Sequence, residues 1–209
     1  EWADLTTHTI NALAAHLRRR DRVAVAWNEA LRPSLNKDVV VMHWRPGRRS
    51  MRRTRQALTE GYSVVFQTWL ESYFDYPYAM VPLRSVYRAR TFDDVTPEMD
   101  ENVLGVQGAL WTEYAADERR LQFNVFPRLA AKAEVGWSVP SARREIGEFK
   151  ARWQVLRPHL EQMGLTHAAP LVASDPGWAR QAWGLLRDLR RGDLLAEQAR
   201  WEKRARRKT

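Results

Sequence analysis

Several apolar runs of the sequence end in aromatic side chains, with carboxylates or amides close behind. Trp27 is followed by Asn28 and Glu29, and His43 by Trp44. The segment from Thr68 to Asp75 carries Trp69, Tyr73 and Asp75, and Glu113 stands two residues after Trp111. Aromatic faces can cover the apolar C–H face of a pyranose ring. Carboxylates accept hydrogen bonds from its hydroxyls, strengthened by their charge. Asp75 and Glu113 are the candidates for that role, with salt bridges to some of the many arginines as the plain alternative. One tryptophan at a strand end is equally well explained by core packing. Three, each with a polar residue nearby, point to a pocket. The stretch Gly105-Val106-Gln107-Gly108-Ala109-Leu110-Trp111-Thr112-Glu113-Tyr114 carries most weight. It is expected to be the end of a buried strand that delivers Trp111 and Glu113 to a sugar. His43 and Glu29 would serve acid–base chemistry if buried.

The elements that must position these groups follow from patterning. Residues 23–27, 39–44, 63–67 and 103–111 are short runs without apolar–polar alternation. Strands of a parallel sheet, buried on both faces, look like this. Leu5, Ile10, Leu13, Ala14 and Leu17 recur at helical spacing and predict a helix over 4–20, with Arg18 to Arg20 suited to its C-terminal turn. Residues 49–60 predict a second helix, closed by Gly61. The link 31–38, containing Pro33, is short and lacks room for a full helix. Residues 123–137 predict one helix with Pro127 in its first turn. Residues 141–163 predict another, bent or divided by Pro158. The fold class is α/β: four strands with helices between them, half of a (β/α)8 barrel. A full barrel needs eight strands and about 250 residues. Half a barrel leaves unpaired strand edges. The chain is therefore expected to be incomplete, or to receive its other half or an oligomeric partner from elsewhere. Residues 1–166 form this partial barrel, 167–177 (with Pro170 and Pro176) a linker, and 178–209 a basic helical tail.

Composition bounds the function. The 209 residues suffice for one domain with a sizeable core, and 44% of them are hydrophobic. No apolar run is long enough to span a bilayer. The N-terminus, Glu-Trp-Ala-Asp-Leu, has no signal-peptide pattern and does not begin with Met, so a processed or truncated start is expected. The chain has no cysteine, which excludes disulfides and thiolate metal sites. No cofactor or metal is expected. The net charge of +9 collects in the C-terminal tail and in Arg48, Arg49, Arg52, Arg53 and Arg55. Such clusters are more often solvated than bound to a polyanion, so no nucleic-acid partner is expected.

The pocket residues also carry a resemblance. Residues 105–113 resemble the last-strand signature of glycoside hydrolase family 20, the β-N-acetylhexosaminidases. Phe126-Pro127-Arg128-Leu129-Ala130-Ala131-Lys132-Ala133-Glu134-Val135-Gly136-Trp137-Ser138 resembles the helix that follows it. Tyr73-Phe74-Asp75-Tyr76 is similar to the segment after the seventh strand, and Val25-Ala26-Trp27-Asn28-Glu29 to the end of the fifth. The resemblance covers about residues 1–166. It implies the C-terminal half of the catalytic barrel, about strands five to eight, and a substrate-assisted, retaining hydrolysis of terminal β-linked N-acetylglucosamine or N-acetylgalactosamine. In that scheme the substrate's acetamido oxygen attacks the anomeric carbon, an exception to the two-carboxylate pattern. Tyr73 would steady the acetamido oxygen. Trp27, Trp44 and Trp111 would wall the acetamido pocket and sugar face, and Asp75 and Glu113 would hold the C6 and C4 hydroxyls. Family members are often secreted, periplasmic or lysosomal, and the sequence leaves the compartment open.

One departure matters. The family's His-x-Gly-Gly-Asp-Glu motif, which supplies the general acid and the Asp that orients the acetamido nitrogen, does not occur in the chain. Asp100-Glu101 and Asp117-Glu118 lack its glycine context. The expectation is a chain that carries sugar-binding residues and is inactive alone. A non-catalytic carbohydrate-binding or interaction module is the alternative.

Overall fold

A computed structural model describes residues 2–89, 92, 95–112, 115–139 and 145–169. The elements follow as α1 (Trp2–Arg18), β1 (Val25–Trp27), β2 (Val40–His43), α2 (Arg48–Thr59), β3 (Val64–Phe66), α3 (Trp69–Ser72), α4 (Leu83–Tyr87), α5 (Pro97–Asp100), β4 (Val103–Val106), α6 (Glu118–Val125), α7 (Arg128–Trp137) and α8 (Ile146–Gln162). The four strands form one sheet in the order β1-β2-β3-β4, parallel throughout. Parallel neighbours need crossover connections, which the intervening helices and loops provide.

The two central strands are buried on one face rather than on both as expected: Val41, Val64 and Phe66 are fully covered, while Val40, Met42 and Val65 are half-buried. The edge strands are not: Val25 is 56% exposed and Leu104 60%. Each edge strand has a neighbour on one side only, so its apolar side chains lack the cover that a closed barrel would give. Register fixes which side chains face which layer. Val41 pairs with Val64 and His43 with Phe66, and these side chains lie between sheet and helices. Met42 and Gln67 line the opposite, concave face. β4 carries one extra residue against β3, since Val64 pairs with Val103 but Val65 with Gly105. Gly105 holds φ +134°, which a side chain would strain, and this permits the bulge.

The helices differ from the patterning in their packing and in where they break. Leu5 and Leu13 are 55% and 57% exposed, so α1 rests on the core through Ala14 and Ile10 rather than its whole apolar stripe. The single helix expected over 123–137 is two. α6 is capped at its start by Asp117, whose carboxylate accepts from the Arg120 amide at 2.7 Å, and it ends at Val125. Pro127 stands at the start of α7 rather than inside a first turn shared with Phe123. Pro158 does not divide α8, which runs through it. The expected helix start at Ser141 lies outside the described residues, and α8 begins at Ile146.

Two apolar clusters result. One joins α1, α2 and the first three strands around Val39, Val41, Leu58, Val64 and Phe66. The other joins the 73–87 segment to α7 and α8 through Tyr87, Ala131, Phe149 and Trp153. Ala168 is fully buried in this second cluster, and its amide donates to the Phe126 carbonyl at 3.0 Å. From Pro170 onward the expected linker, and the whole basic tail, lie outside the described residues.

Candidate functional site

The strands are only three or four residues long, but the ladder continues past their C-terminal ends. The Gln67 amide donates to His43 O at 2.7 Å, Trp69 N to Trp44 O at 3.0 Å and Gln107 N to Phe66 O at 2.9 Å. Further out, Tyr73 and Ala109 form an isolated parallel bridge, in which Phe74 N donates to Ala109 O and Ala109 N to Ser72 O, each at 2.7 Å. This bridge sets Tyr73 beside the approach to Trp111. Gly108 makes it possible: a Cβ there would lie 2.6 Å from Phe74 Cε2.

The aromatic residues gather at that end of the sheet. Trp27 and Trp44 meet edge-on with ring centroids 6.5 Å apart, and Trp44 and Tyr73 are 6.4 Å apart. Tyr73 also faces Tyr76 at 6.5 Å, and Tyr76 faces Trp69 at 5.8 Å. Trp111 reaches the same group, with its side chain close enough to the Tyr73 hydroxyl to act on its titration. Burial pushes the Tyr73 hydroxyl up to about 12, with Asp75 and Glu29 adding to the rise and the nearby Trp111 side chain opposing it. Tyr73 is therefore protonated throughout the neutral range.

Trp44 is held from two adjacent residues. Its amide donates to Asn28 Oδ1 at 3.2 Å, and its indole Nε1 donates to Glu29 Oε2 at 2.9 Å. Asn28 Nδ2 in turn donates to Ser50 Oγ at 2.9 Å, tying the end of β1 to α2. A cavity of about 440 Å³ opens on the concave face between the sheet edges, with Trp27 on the β1 side, Trp111 on the β4 side, and Met42, Gln67 and Gln107 between them. Small-ligand pockets have volumes in this range. Trp27 and Trp111 are 41% and 46% exposed.

The expected site residues thus separate into three groups. Trp27, Trp44, Tyr73 and Trp111 come together. Asp75 stands two residues from Tyr73 and is 3% exposed, in the field of the buried Arg128 guanidinium. Glu113 lies outside the described residues. Trp111 itself is not at a strand end, because β4 stops at Val106 and the bulge at Gly105 and the turn through Gly108 carry the chain away from regular pairing. His43 does not join the site. It is fully buried behind the sheet, with Nδ1 2.7 Å from Thr54 Oγ1, and burial followed by the charge of Arg55 lowers it to about 4. It is a neutral core histidine at physiological pH. Glu29 is at the site, but its carboxylate is engaged by Trp44 and lies 3.6 Å from Arg45 Nε.

Patterning missed Arg128. This fully buried guanidinium donates to the carbonyls of Asn124 and Tyr76 at 2.8 Å each, of Val81 at 3.1 Å and of Phe74 at 2.5 Å, with its Cζ 4.1 Å above the Tyr78 ring. Asn124 Nδ2 donates to the Asp75 carbonyl at 3.3 Å. Three consecutive carbonyls around Asp75 are therefore fixed from α6 and α7. Burial lowers Arg128 to about 10, with Tyr78 and Asp75 opposing, so it stays charged at neutral pH. The sequence signal was an arginine inside an otherwise apolar helix start.

Among the described residues no group of three or more His, Asp or Glu side chains is placed to hold a metal ion, and no helix is long and apolar enough to cross a membrane.

Comparison with known proteins adds an independent line. The family described as "Glycosyl hydrolase family 20, catalytic domain" matches residues 1–140. A beta-N-acetylhexosaminidase of Cellulomonas fimi is 26% identical over 182 residues, covering 81% of this chain and 36% of that protein. A beta-hexosaminidase of Porphyromonas gingivalis is 25% identical over 186 residues, covering 83% of this chain and 23% of that protein. The chain thus spans well under half the length of these relatives. An exo beta-N-acetylglucosaminidase from Vibrio harveyi, solved with N-acetylglucosamine, superposes with a TM-score of 0.71 at 22% identity, over 81% of this chain and 28% of that one. A chitobiase from Flavobacterium johnsoniae superposes with a TM-score of 0.65 at 25% identity, over 79% and 25%. The four-stranded parallel sheet is accordingly part of a (β/α)8 barrel, its C-terminal half.

Proposed function

The chain belongs to glycosyl hydrolase family 20, and from that premise we propose that it is the sugar-holding half of a β-N-acetylhexosaminidase that acts on terminal β-linked N-acetylglucosamine or N-acetylgalactosamine. The observation that carries this reading is the convergence of Trp27, Trp44, Tyr73 and Trp111 at one end of the sheet. In the reaction the substrate's acetamido oxygen attacks the anomeric carbon as the glycosidic bond breaks. The departing oxygen takes a proton from an acid, and water then opens the oxazolinium, so the β-configuration is retained. Tyr73 donates its hydroxyl hydrogen to the acetamido oxygen and fixes it for attack. The high pKa, which keeps that hydrogen on the oxygen at neutral pH, supports this role. Trp27, Trp44 and Trp111 wall the acetamido group and the sugar face. Asp75 and Glu113 accept from the C6 and C4 hydroxyls. Holding the nucleophile in line can lower the barrier by several kcal/mol.

The acid and its Asp partner are not among the 209 residues. The chain by itself therefore binds without hydrolysing, and turnover requires the complementary four strands, from the same polypeptide or another. The missing acid equally favours the second reading, a non-catalytic carbohydrate-binding module. Calorimetric titration with N-acetylglucosamine tests binding: heat at millimolar sugar is expected, and none refutes both readings. A chromogenic N-acetylglucosaminide tests the division of labour, since normal enzymatic turnover by the chain alone refutes it. A His-x-Gly-Gly-Asp-Glu motif in the upstream reading frame separates the hydrolase half from the binding module.

A further inference from the structure

We infer that Glu29 is a positioning residue that holds the Trp44 indole in its orientation against Trp27 and Tyr73 through the Nε1–H bond to its carboxylate. The inference rests on the sugar-binding reading of this pocket. Glu29 directly follows Asn28 in the turn after β1, and the two residues grip neighbouring parts of Trp44, one the backbone amide and the other the ring nitrogen. With both contacts made, the Trp44 ring stands edge-on to Trp27 and tilted towards Tyr73. Without the second, the backbone remains in place but the indole can turn about its side-chain torsions. An acetamido group stacked between these rings would then meet a wall that must be ordered on binding, which weakens binding.

Three observations separate this role from a structural one. The Glu29 side chain is 41% exposed, so its removal leaves the core intact. Its second oxygen meets Arg45, at 3.6 Å and with the arginine 55% exposed, a contact that salt screens and that contributes little to stability. Its charge also reaches Tyr73, where it helps keep the hydroxyl protonated.

The test compares Glu29→Gln, which keeps an oxygen acceptor for the indole, with Glu29→Ala, which does not, in the full chain. Two readouts are needed: the Nε1–H resonance of Trp44 in a ¹⁵N spectrum, assigned with Trp44→Phe, and N-acetylglucosamine affinity by titration. Glu29→Ala should shift the indole resonance, speed its hydrogen exchange and weaken affinity about tenfold, the worth of one charge-assisted hydrogen bond. Its thermal midpoint should match the parent's. Glu29→Gln should stay within about threefold in affinity and keep the exchange protection. An unmoved indole resonance in Glu29→Ala overturns the inference whether or not sugar binds. Equal loss in both variants also overturns it, since charge rather than an acceptor would then be at work. If the parent chain binds no sugar, the pocket reading falls, and the indole resonance still judges Glu29 by itself.

Discussion

Replacing Arg128 by Met should be among the most damaging single changes to the folded chain. The methionine keeps most of the apolar stem and removes the guanidinium, leaving the carbonyls of Phe74, Tyr76, Val81 and Asn124 without their donor. A hydrogen bond to a charged group contributes about 1.5–3 kcal/mol, and an orphaned buried acceptor costs about 1–3 kcal/mol. The burial of the cation, several kcal/mol, offsets much of the gross sum. The net loss should be about 3–5 kcal/mol, the range seen when one member of a buried charged network is removed. With a urea slope of about 2 kcal/mol/M, the unfolding midpoint should fall by about 1.5–2.5 M. Arg128→Lys keeps the charge but offers a point donor instead of a planar fork, so it should recover only part of the loss. The assay is urea unfolding followed by far-UV circular dichroism and, in parallel, by tryptophan fluorescence. A midpoint drop under about 0.5 M for Arg128→Met would refute the clamp, because four carbonyls cannot lose their donor so cheaply unless water replaces it.

Three further outcomes are expected. His43 is protonated near 6.5 when unfolded and near 4 when folded, so the unfolded state binds more protons between those values, and stability should fall by about 3 kcal/mol as pH drops from 6.5 to 4. Urea midpoints measured across that window should show this, and His43→Asn should flatten the slope even where it lowers the plateau. Gly108→Ala should destabilise by about 1–3 kcal/mol through the clash with Phe74, whereas Gly147→Ala in α8, where a Cβ meets nothing within 4 Å, should be neutral or stabilising by up to about 1 kcal/mol; equal thermal shifts would refute the contrast. Tyr73→Phe should weaken N-acetylglucosamine binding about tenfold. Because Tyr73 titrates at about 12, parental affinity should stay flat from pH 6 to pH 10 in calorimetric titrations; a fall centred near the ordinary tyrosine value would contradict the burial of the hydroxyl.

What could be read from the sequence was local. Unbroken apolar runs locate parallel strands, and residues 39–41 and 64–66 do fall in the sheet, although their burial alternates: Val41, Val64 and Phe66 are covered on the helix side while Val40 and Val65 are only half-buried. Trp27 and Trp44 were legible because each closes or directly follows a short apolar run, whereas Trp111 stands beyond the end of β4. The split at Pro127 was not legible, since the apolar spacing of α7 continues smoothly back to Phe123 and hides the break. The face taken by His43 was within reach: alternation along β2 sends Met42 to the cavity and His43 away from it. Arg128 was beyond reach for a different reason. Three of its four acceptors are backbone carbonyls 47 to 54 positions away in sequence, and a carbonyl has no residue type to recognise. The Glu29–Trp44 bond is hidden in the same way, because it depends on the neighbouring register of β1 and β2.

The placement of these contacts explains how an open sheet can keep part of a pocket in order. Trp44 and Tyr73 follow the two central strands, where hydrogen bonds continue past the regular ladder and neighbours stand on both sides. Tyr73 is 8% exposed and precedes the segment pinned by Arg128. Trp27 and Trp111 follow the edge strands and are several times more exposed. The Trp44–Tyr73 part of the aromatic wall is therefore built by this half of the barrel alone, while the two outer indoles face the edges that a closed barrel would cover. Under the proposed function the same division runs through the chemistry. Orienting the acetamido oxygen needs only groups on the central strands and their loops, which are in place here. Protonating the leaving group needs a carboxylic acid from across the barrel. A half-barrel can thus retain most of the recognition and none of the proton transfer, and its affinity should depend on how far Trp27 and Trp111 hold their positions without strands beside them.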